Sequence, residues 1–230
     1  MSSDVTRRGF LTAGAGAAAG AALTAVSAEA AEAHKDGPVK IIAIASSPRK
    51  GKTTAAGLAV CLEAAKAVDE RIETELIELA GLKIPGEVAA GIALEPGERD
   101  DFPAIAEKLS DPAVRGILIG TPVYFANMSA LCKAFLDRWV VFRKTFALSN
   151  RVGGVLAVGS GRNAGVEQTI RSVQAALFAQ EMIVVGDGQP TGHFGATLWN
   201  NAGDDISKDE AGIKTAQNLG RRVAEVALLL

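Results

Sequence analysis

Cysteine is scarce in this chain, and its scarcity limits the metal chemistry that the protein can support. The 230 residues include two cysteines, Cys61 and Cys132, and no C-x-x-C spacing. Zinc fingers and iron–sulfur clusters need several thiolate ligands, so the sequence supports no cysteine-ligated metal site. Both cysteines fall in predicted helices. Two buried thiols are the favoured interpretation, and a disulfide is the alternative in an oxidising compartment.

Excess charge of either sign is also lacking. Lys and Arg number 24, Asp and Glu number 26, and the net charge is −2. Proteins that bind nucleic acid or anionic membranes carry a basic surface, and this composition gives no indication of one. The 48% hydrophobic content is typical of a domain with one well-buried core. The composition therefore predicts small-molecule partners and no nucleic acid.

The N-terminus has the pattern of an export signal, without an apolar run long enough to cross a membrane. Thr6-Arg7-Arg8-Gly9-Phe10-Leu11 is a twin-arginine signature, and residues 13–26 are mostly Ala and Gly. Ala28-Glu29-Ala30 and Ala31-Glu32-Ala33 offer small-x-small cleavage sites. We predict that residues 1–33 are a twin-arginine signal peptide and that the mature protein is periplasmic, with no stable membrane insertion after cleavage. The alternative is an ordinary Ala-rich leader.

Short hydrophobic runs alternate with helical patterns from residue 38 to the C-terminus. Strands are predicted at residues 39–45, 73–79, 115–120, 152–158 and 182–185. Strands that alternate with helices form a parallel sheet with helices on both faces. The sequence thus predicts one α/β domain over residues 38–230, with a doubly wound five-stranded parallel sheet of order 2-1-3-4-5. In that topology a ligand binds at the carboxyl ends of strands one and three.

Helix limits and long connections follow from the same pattern. The first helix is predicted over residues 54–68 and the third over residues 129–142. Ser207-Lys208-Asp209-Glu210 has the form of a capping box, which would make Ser207 the N-cap of the last helix. Residues 80–100 and 187–206 are long for connections. One interpretation is that they cover the ligand or a partner subunit, and the alternative is a surface excursion. A functional role is favoured for the second, because this aromatic-bearing, Gly-punctuated stretch follows the last predicted strand at the ligand edge.

The first predicted strand leads into a basic, hydroxyl-rich loop and then into a helix. This arrangement predicts a phosphate site, because the helix N-terminus adds free N–H groups to the donors of four side chains: Ser47, Arg49, Thr53 and Thr54. The loop also fits the triphosphatase pattern G-x-x-x-x-G-K-[ST], except that Ser46 replaces the first glycine. That alternative is less favoured, because Pro48 removes an N–H group and no carboxylate ends the best later strand.

Two more segments follow predicted strands and complete a three-loop pattern. They are Thr121-Pro122-Val123-Tyr124-Phe125-Ala126-Asn127-Met128-Ser129 and Gly159-Ser160-Gly161-Arg162-Asn163-Ala164-Gly165. With residues 46–54 they resemble the flavin loops of the flavodoxin-like NAD(P)H-dependent FMN reductases and their iron–sulfur flavoprotein relatives. The resemblance covers residues 38–230. It departs at Ser46, where the family usually has Gly, and at Thr53, where it often has Asn.

The resemblance implies a flavodoxin-like fold and one bound FMN. The cofactor-binding residues that it implies are Ser47, Arg49, Thr53, Thr54, Pro122, Val123, Tyr124, Phe125, Asn127, Met128, Gly159, Gly161, Arg162 and Asn163. Flavin carries the chemistry in such proteins, so we predict no catalytic side chain and no metal site. The iron–sulfur relatives carry their cluster cysteines after the second strand, where residues 80–99 of this chain have none.

The resemblance also implies an activity. We expect an FMN-dependent oxidoreductase that passes electrons from a small donor to a small acceptor such as a quinone, with Tyr124 and Phe125 beside the flavin ring. A homodimer or higher homo-oligomer is expected, and Trp139-Val140-Val141-Phe142 is either a subunit contact or part of the core. The alternative is a non-enzymatic flavodoxin-like electron carrier. True flavodoxins are strongly acidic, so the nearly neutral charge favours an enzyme.

Overall fold

The sheet of the computed structural model is parallel throughout and is most deeply buried at its centre. The structure describes residues 37–200 and 203–230. Its strands are β1 (Val39–Ala45), β2 (Ile72–Glu78), β3 (Val114–Pro122), β4 (Val152–Gly159), β5 (Ile183–Val184) and β6 (Ala196–Trp199). β3 and β4 are buried along almost their whole length, because helices cover both faces of the sheet.

The strand order is β2-β1-β3-β4-β5, with β6 also beside β4, which confirms the predicted order and fold class. β5 pairs with the start of β4, and β6 pairs with its end, from Leu156 to Gly159. Two short strands separated by residues 185–195 therefore share the fifth position. The prediction of a loop throughout residues 187–206 is wrong at β6. Four residues are too few for the alternation of buried Ala196 and Leu198 to stand out in a sequence.

Five α-helices cover the sheet in the part of the chain that the structure describes. They are α1 (Thr53–Lys66), α2 (Phe102–Ser110), α3 (Ala130–Asp137), α4 (Val166–Ala179) and α5 (Glu210–Ala227). Side chains of α1 and α5 pack on one face, and those of α2, α3 and α4 on the other. Cys61 and Cys132 are free, buried and in opposite layers, which confirms the prediction of two buried thiols.

The third helix is shorter than predicted. α3 ends at Asp137, and the chain continues as a tighter 3₁₀ helix, Arg138–Lys144; a second 3₁₀ helix is Gly86–Ala90. Valine is a weak helix former, and two valines lie side by side in this segment. Trp139 and Phe142 are buried in the core, whereas the two valines between them are about half exposed. Of the four residues 139–142, only Val140 and Val141 are exposed enough to contact another subunit.

The last helix is capped by a different residue from the one predicted. Asp209 is the N-cap of α5, and its side chain accepts a hydrogen bond from the Gly212 N–H at 2.9 Å. Ser207 instead donates through its N–H and its hydroxyl to Asp205, at 2.8 and 2.7 Å. The prediction of Ser207 as the cap is wrong because Asp209 is also held by residues from outside the helix, which a capping pattern does not include.

Residues 38–230 form one compact unit. Residues 1–36 lie outside the described residues, and with them the whole predicted signal peptide. Among the helices of the described residues, none combines the length and the apolar character needed to cross a bilayer.

Candidate functional site

Three loops meet at the carboxyl ends of β1, β3 and β4, at the edge where the topology predicts a ligand. The first loop (residues 46–52) follows β1, the second loop (residues 123–129) follows β3, and the third loop (residues 160–165) follows β4. Ser46 Oγ donates to the Gly120 carbonyl at 2.6 Å, and Ser129 Oγ donates to the Ser46 carbonyl at 2.7 Å. These buried bonds tie the first loop to β3 and to the second loop.

The second and third loops are also in direct contact. Gly165 adopts a φ of +81°, and a Cβ at this position would lie 2.5 Å from the Cβ of Ala126. Both the positive φ and the close approach require glycine. The three loops therefore form one continuous surface at this edge of the sheet.

The first loop leads into the N-terminus of α1. Among the described residues no side chain caps this helix, whose N-cap is Lys52. Its first-turn N–H groups have no partner within the helix, and the helix dipole adds positive potential there. The predicted Thr53 and Thr54 lie in the first turn and are buried, and the Ser47 hydroxyl accepts the Arg49 N–H at 3.1 Å. The loop therefore offers the kind of donors that an anion requires.

Carboxylates of the protein itself already contact the donors of the first loop. The Arg49 guanidinium lies 2.7 Å from the Asp204 carboxylate, and Lys52 Nζ lies 3.7 Å from it. The Gly51 N–H donates to Glu78 Oε2 at 2.6 Å. Carboxylate oxygens and phosphate oxygens accept the same hydrogen bonds, so these contacts show that the loop fits an anionic group of this kind.

The second loop contains a tight turn with an exposed aromatic tip. Tyr124 and Asn127 exchange backbone hydrogen bonds at 2.9 and 3.1 Å. Phe125 and Ala126 between them have φ values of +50° and +58°. Positive φ is costly for residues with a Cβ and persists only where the surroundings impose it. The turn leaves the Phe125 side chain fully exposed and that of Tyr124 about half exposed.

The other predicted residues of the second loop shape its backbone. Pro122 ends β3, and the Val123 N–H donates to the Val158 carbonyl at 2.9 Å. Asn127 Oδ1 accepts the Met128 N–H at 2.8 Å. Ser129 is the N-cap of α3, since its hydroxyl accepts the Cys132 N–H at 3.0 Å.

The third loop is held from its outer side by β6 and α5. Trp199 Nε1 donates to the Ser160 carbonyl at 2.8 Å, and Arg162 forms an ion pair with Asp209. The predicted Gly159 ends β4, where its carbonyl accepts the Asn200 N–H at 3.1 Å. The predicted Gly161 has open space around its Cα, and Arg162 and Asn163 line a cavity of about 560 Å³.

The same cavity is bordered by a histidine that is anchored to a buried carboxylate. Asp187 is completely buried and lies 3.1 Å from His193 Nδ1, and it also accepts the His193 N–H at 2.5 Å. The Thr191 hydroxyl donates to Asp187 at 2.5 Å and accepts from Asn218 at 2.9 Å. This network holds residues 185–195 in place beside the third loop. A further cavity lies between α1 and α5, and none of the three loops lines it.

Cys132 lies beneath the site as a neutral thiol. Burial raises the pKa of Cys132 to about 11, against the smaller lowering effect of hydrogen bonds with Ser46 and Thr121. A protonated thiol is a poor nucleophile. Within residues 37–200 and 203–230, no group of three His, Cys, Asp or Glu side chains is arranged to hold a metal ion.

Several residues of this site have no signal in the sequence. Glu78 and Asp204 reach the first loop from β2 and from the segment after β6, and Trp199 and Asp209 reach the third loop from β6 and α5. All four contacts join residues distant in the chain. A motif read along the chain does not include such partners, although an acidic residue before a helix is a recognisable cap.

Known proteins share both the sequence and the fold of this chain. It is 40% identical over 197 residues to an iron–sulfur flavoprotein of Methanocaldococcus jannaschii, which covers 84% of this chain and 99% of that protein. It is 33% identical over 164 residues to an NAD(P)H dehydrogenase (quinone) of Archaeoglobus fulgidus, covering 71% and 81%. The solved structure of RosB aligns with a TM-score of 0.65 and 16% identity over 84% of this chain and 80% of that one, a likeness of fold.

The fold and the three loops define a flavodoxin-like flavoprotein. More specifically, the chain belongs to the NADPH-dependent FMN reductase family, which matches residues 39–197. Its cofactor is FMN, and it is a flavin-dependent NAD(P)H oxidoreductase. The two cysteines of this chain are buried on opposite faces of the sheet, so they cannot together ligate a cluster.

Proposed function

We propose that the three loops hold FMN with its phosphate on the first loop and its ring between the second and third. Ser47, Arg49 and the first turn of α1, including Thr53 and Thr54, would bind the phosphate. The support is chemical: this loop combines uncapped helix N–H groups with two cations that already contact a carboxylate. The ring would be contacted by the predicted residues at the second and third loops, chiefly through backbone groups in the third loop. They are Pro122, Val123, Tyr124, Phe125, Asn127, Met128, Gly159, Gly161, Arg162 and Asn163.

The acceptor that we propose is a small planar molecule of the quinone class. FMN held by these loops would supply the two-electron chemistry between donor and acceptor. Tyr124 and Phe125 would line the acceptor site, together with residues of the 187–206 segment. The observation that carries this proposal is the turn at Phe125: a fully exposed aromatic side chain on a backbone with positive φ, beside the third loop. An exposed apolar ring held at an energetic cost is typical of a binding surface. A relative is named as a quinone dehydrogenase.

Stopped-flow reoxidation tests the acceptor. The flavin is reduced chemically under anaerobic conditions and mixed with quinones of different size. We expect reoxidation faster than that of free reduced FMN, and slower reoxidation at low quinone concentration in Phe125→Ala. Phe146→Ala is the matched control, because Phe146 is also an exposed aromatic residue with a positive φ but precedes the amino end of β4. Rates no faster than free FMN for every quinone, with rapid electron exchange with a protein partner, would instead favour an electron carrier.

We also propose that the protein is exported to the periplasm by the twin-arginine pathway. The support is the paired Arg7 and Arg8 before an Ala-rich run and small-x-small sites. Replacement of both arginines by lysine keeps the charge and is expected to leave the protein in the cytoplasm. Mature protein is expected to begin near Ala31 or His34. Unchanged periplasmic accumulation of the double variant would contradict this proposal.

A homodimer is the assembly that we propose. Val140 and Val141 support it, because they are adjacent in the chain and 49% and 45% exposed. Exposed neighbouring apolar side chains indicate a contact surface. Sedimentation analysis of the wild type and of Val141→Asp tests the proposal. A dimeric wild type and a monomeric variant are expected, and a monomeric wild type would contradict it.

A further inference from the structure

The third loop is held in place by side-chain contacts with Trp199 and Asp209. Trp199 donates from its indole N–H to the Ser160 carbonyl at 2.8 Å, and the Arg162 guanidinium lies 5.9 Å from the Trp199 ring centroid. Arg162 also forms an ion pair with Asp209. β6 and the start of α5 therefore fix both the position of this loop and the direction of its one cationic side chain.

The Asp209 carboxylate is held in place from several sides. It is buried and accepts the Gly212 N–H at 2.9 Å and the Trp199 N–H at 2.7 Å. A Cβ on Gly212 would overlap the carboxylate, so glycine at this position in the first helical turn makes room for it. Capping α5 requires only the Gly212 bond. The contacts with Trp199 and Arg162 are additional, and both concern the third loop.

Charge is the property that Asp209 changes at this loop. Arg162 is half exposed and would present a full positive charge beside the flavin ring if it were unpaired. Two-electron reduction adds negative charge to a flavin that takes up a single proton, so a nearby cation stabilises the reduced form more than the oxidised form. A paired carboxylate cancels most of that effect, because the two opposite charges act on the ring from nearly the same place.

We propose that Asp209 is a positioning residue for the flavin, which orients the third loop through Arg162 and Trp199 and neutralises Arg162, so that the reduction potential of bound FMN stays low. This inference rests on the flavin placement proposed above. A low potential makes the reduced enzyme a stronger electron donor to its acceptor. The potential is thus set by a residue outside the three loops.

Three variants of the FMN-loaded enzyme separate charge from shape. Asp209→Asn keeps a good helix N-cap and frees the Arg162 charge. We expect the affinity for reduced FMN relative to oxidised FMN to rise about threefold to tenfold, which is a two-electron potential about 15 to 30 mV more positive. Arg162→Gln leaves the carboxylate unpaired and is expected to shift the potential in the opposite direction. The double variant is expected to return close to the wild-type value.

A charge change away from the third loop is the control. Asp137→Asn makes the same change in charge at the exposed end of α3 and is expected to leave the potential unchanged. If Asp209→Asn does not fold, as judged by thermal unfolding, the negative shift of Arg162→Gln still tests the inference. Normal FMN binding with unmoved potentials, or equal shifts in all three variants, would overturn this inference alone. Loss of the flavin site itself, seen as an absence of FMN binding to wild type, would overturn the proposed function as well.

Discussion

Replacing Asp204 by asparagine is expected to tighten FMN binding, although it removes a charged contact of the first loop. Asp204 lies 2.7 Å from Arg49, which we assign to the phosphate, and 3.7 Å from Lys52 of the same loop. In the free protein the phosphate must displace this carboxylate. Asp204→Asn removes the competing charge and leaves a side chain of the same size.

The exposure of the pair sets the size of the effect. The side chains of Arg49 and Asp204 are 48% and 33% exposed, and exposed ion pairs contribute about 0.2–1 kcal/mol. The Kd for FMN is therefore expected to fall by a factor of about 1.5 to 5. Arg49→Ala should act in the opposite direction and more strongly, by about 1.5–3 kcal/mol, because it removes a charged hydrogen bond to the phosphate.

Quenching of FMN fluorescence during titration with apoprotein measures both changes. Low ionic strength gives the largest difference, and added salt is expected to reduce it through screening. Asp205→Asn is the matched control, because the Asp205 carboxylate accepts its hydrogen bonds from Ser207. Weaker FMN binding by Asp204→Asn would refute the reasoning, since it would mean that Asp204 supports the bound state.

Two further predictions concern the loops and the core. Gly165→Ala is expected to weaken FMN binding and to cost about 1–3 kcal/mol of stability, because it combines a positive φ with a clash against Ala126. Gly161→Ala meets open space and is the control for stability alone, so equal losses of stability in urea titrations would contradict this prediction. Buried Arg138 forms an ion pair at 2.7 Å with the partly buried Asp100, so Arg138→Met is expected to cost about 1.5–3 kcal/mol at neutral pH. Burial acts to raise the pKa of Asp100, but the hydrogen bonds from Arg138 and from the Phe102 N–H, with the Arg138 charge, together lower it, so the wild type loses this contribution as the pH falls below about 4. The difference in unfolding free energy between wild type and Arg138→Met is then expected to shrink in acid. A difference that stays constant with pH would contradict a lowered pKa for Asp100.

The sequence predicts the central sheet well, because each central strand is a continuous hydrophobic run. The 39–45 strand matches β1 residue for residue, and the strand order follows from the alternation with helices. The strands at the outer edge of the sheet are harder to predict. β5 has two residues and β6 has four, and segments this short carry no reliable pattern, so the sequence predicts a loop for residues 187–206.

The candidate site also has parts that the sequence predicts and parts that it does not. The three loops could be found because each directly follows a strand and carries local signals, such as Pro48 and Gly51 in the first loop, Asn127 in the second and Gly161 and Gly165 in the third. Their partners could not, because an ion pair such as Arg49 with Asp204 depends on how two distant segments come together. Asp209 illustrates the limit: the local pattern places it third in a capping box, whereas in the structure it accepts the Gly212 N–H as the cap and also contacts Arg162 and Trp199.

The divided fifth strand also affects how copies of this protein can associate. An open sheet edge offers unpaired N–H and C=O groups to a neighbouring chain, and long, regular edges promote aggregation. Here the outer edge is interrupted by residues 185–195, so its longest uninterrupted strand is the four residues of β6. The opposite edge, β2, carries the acidic side chains of Glu73, Glu75 and Glu78. Both edges thus resist extension of the sheet, and stable association between subunits must use helices or loops.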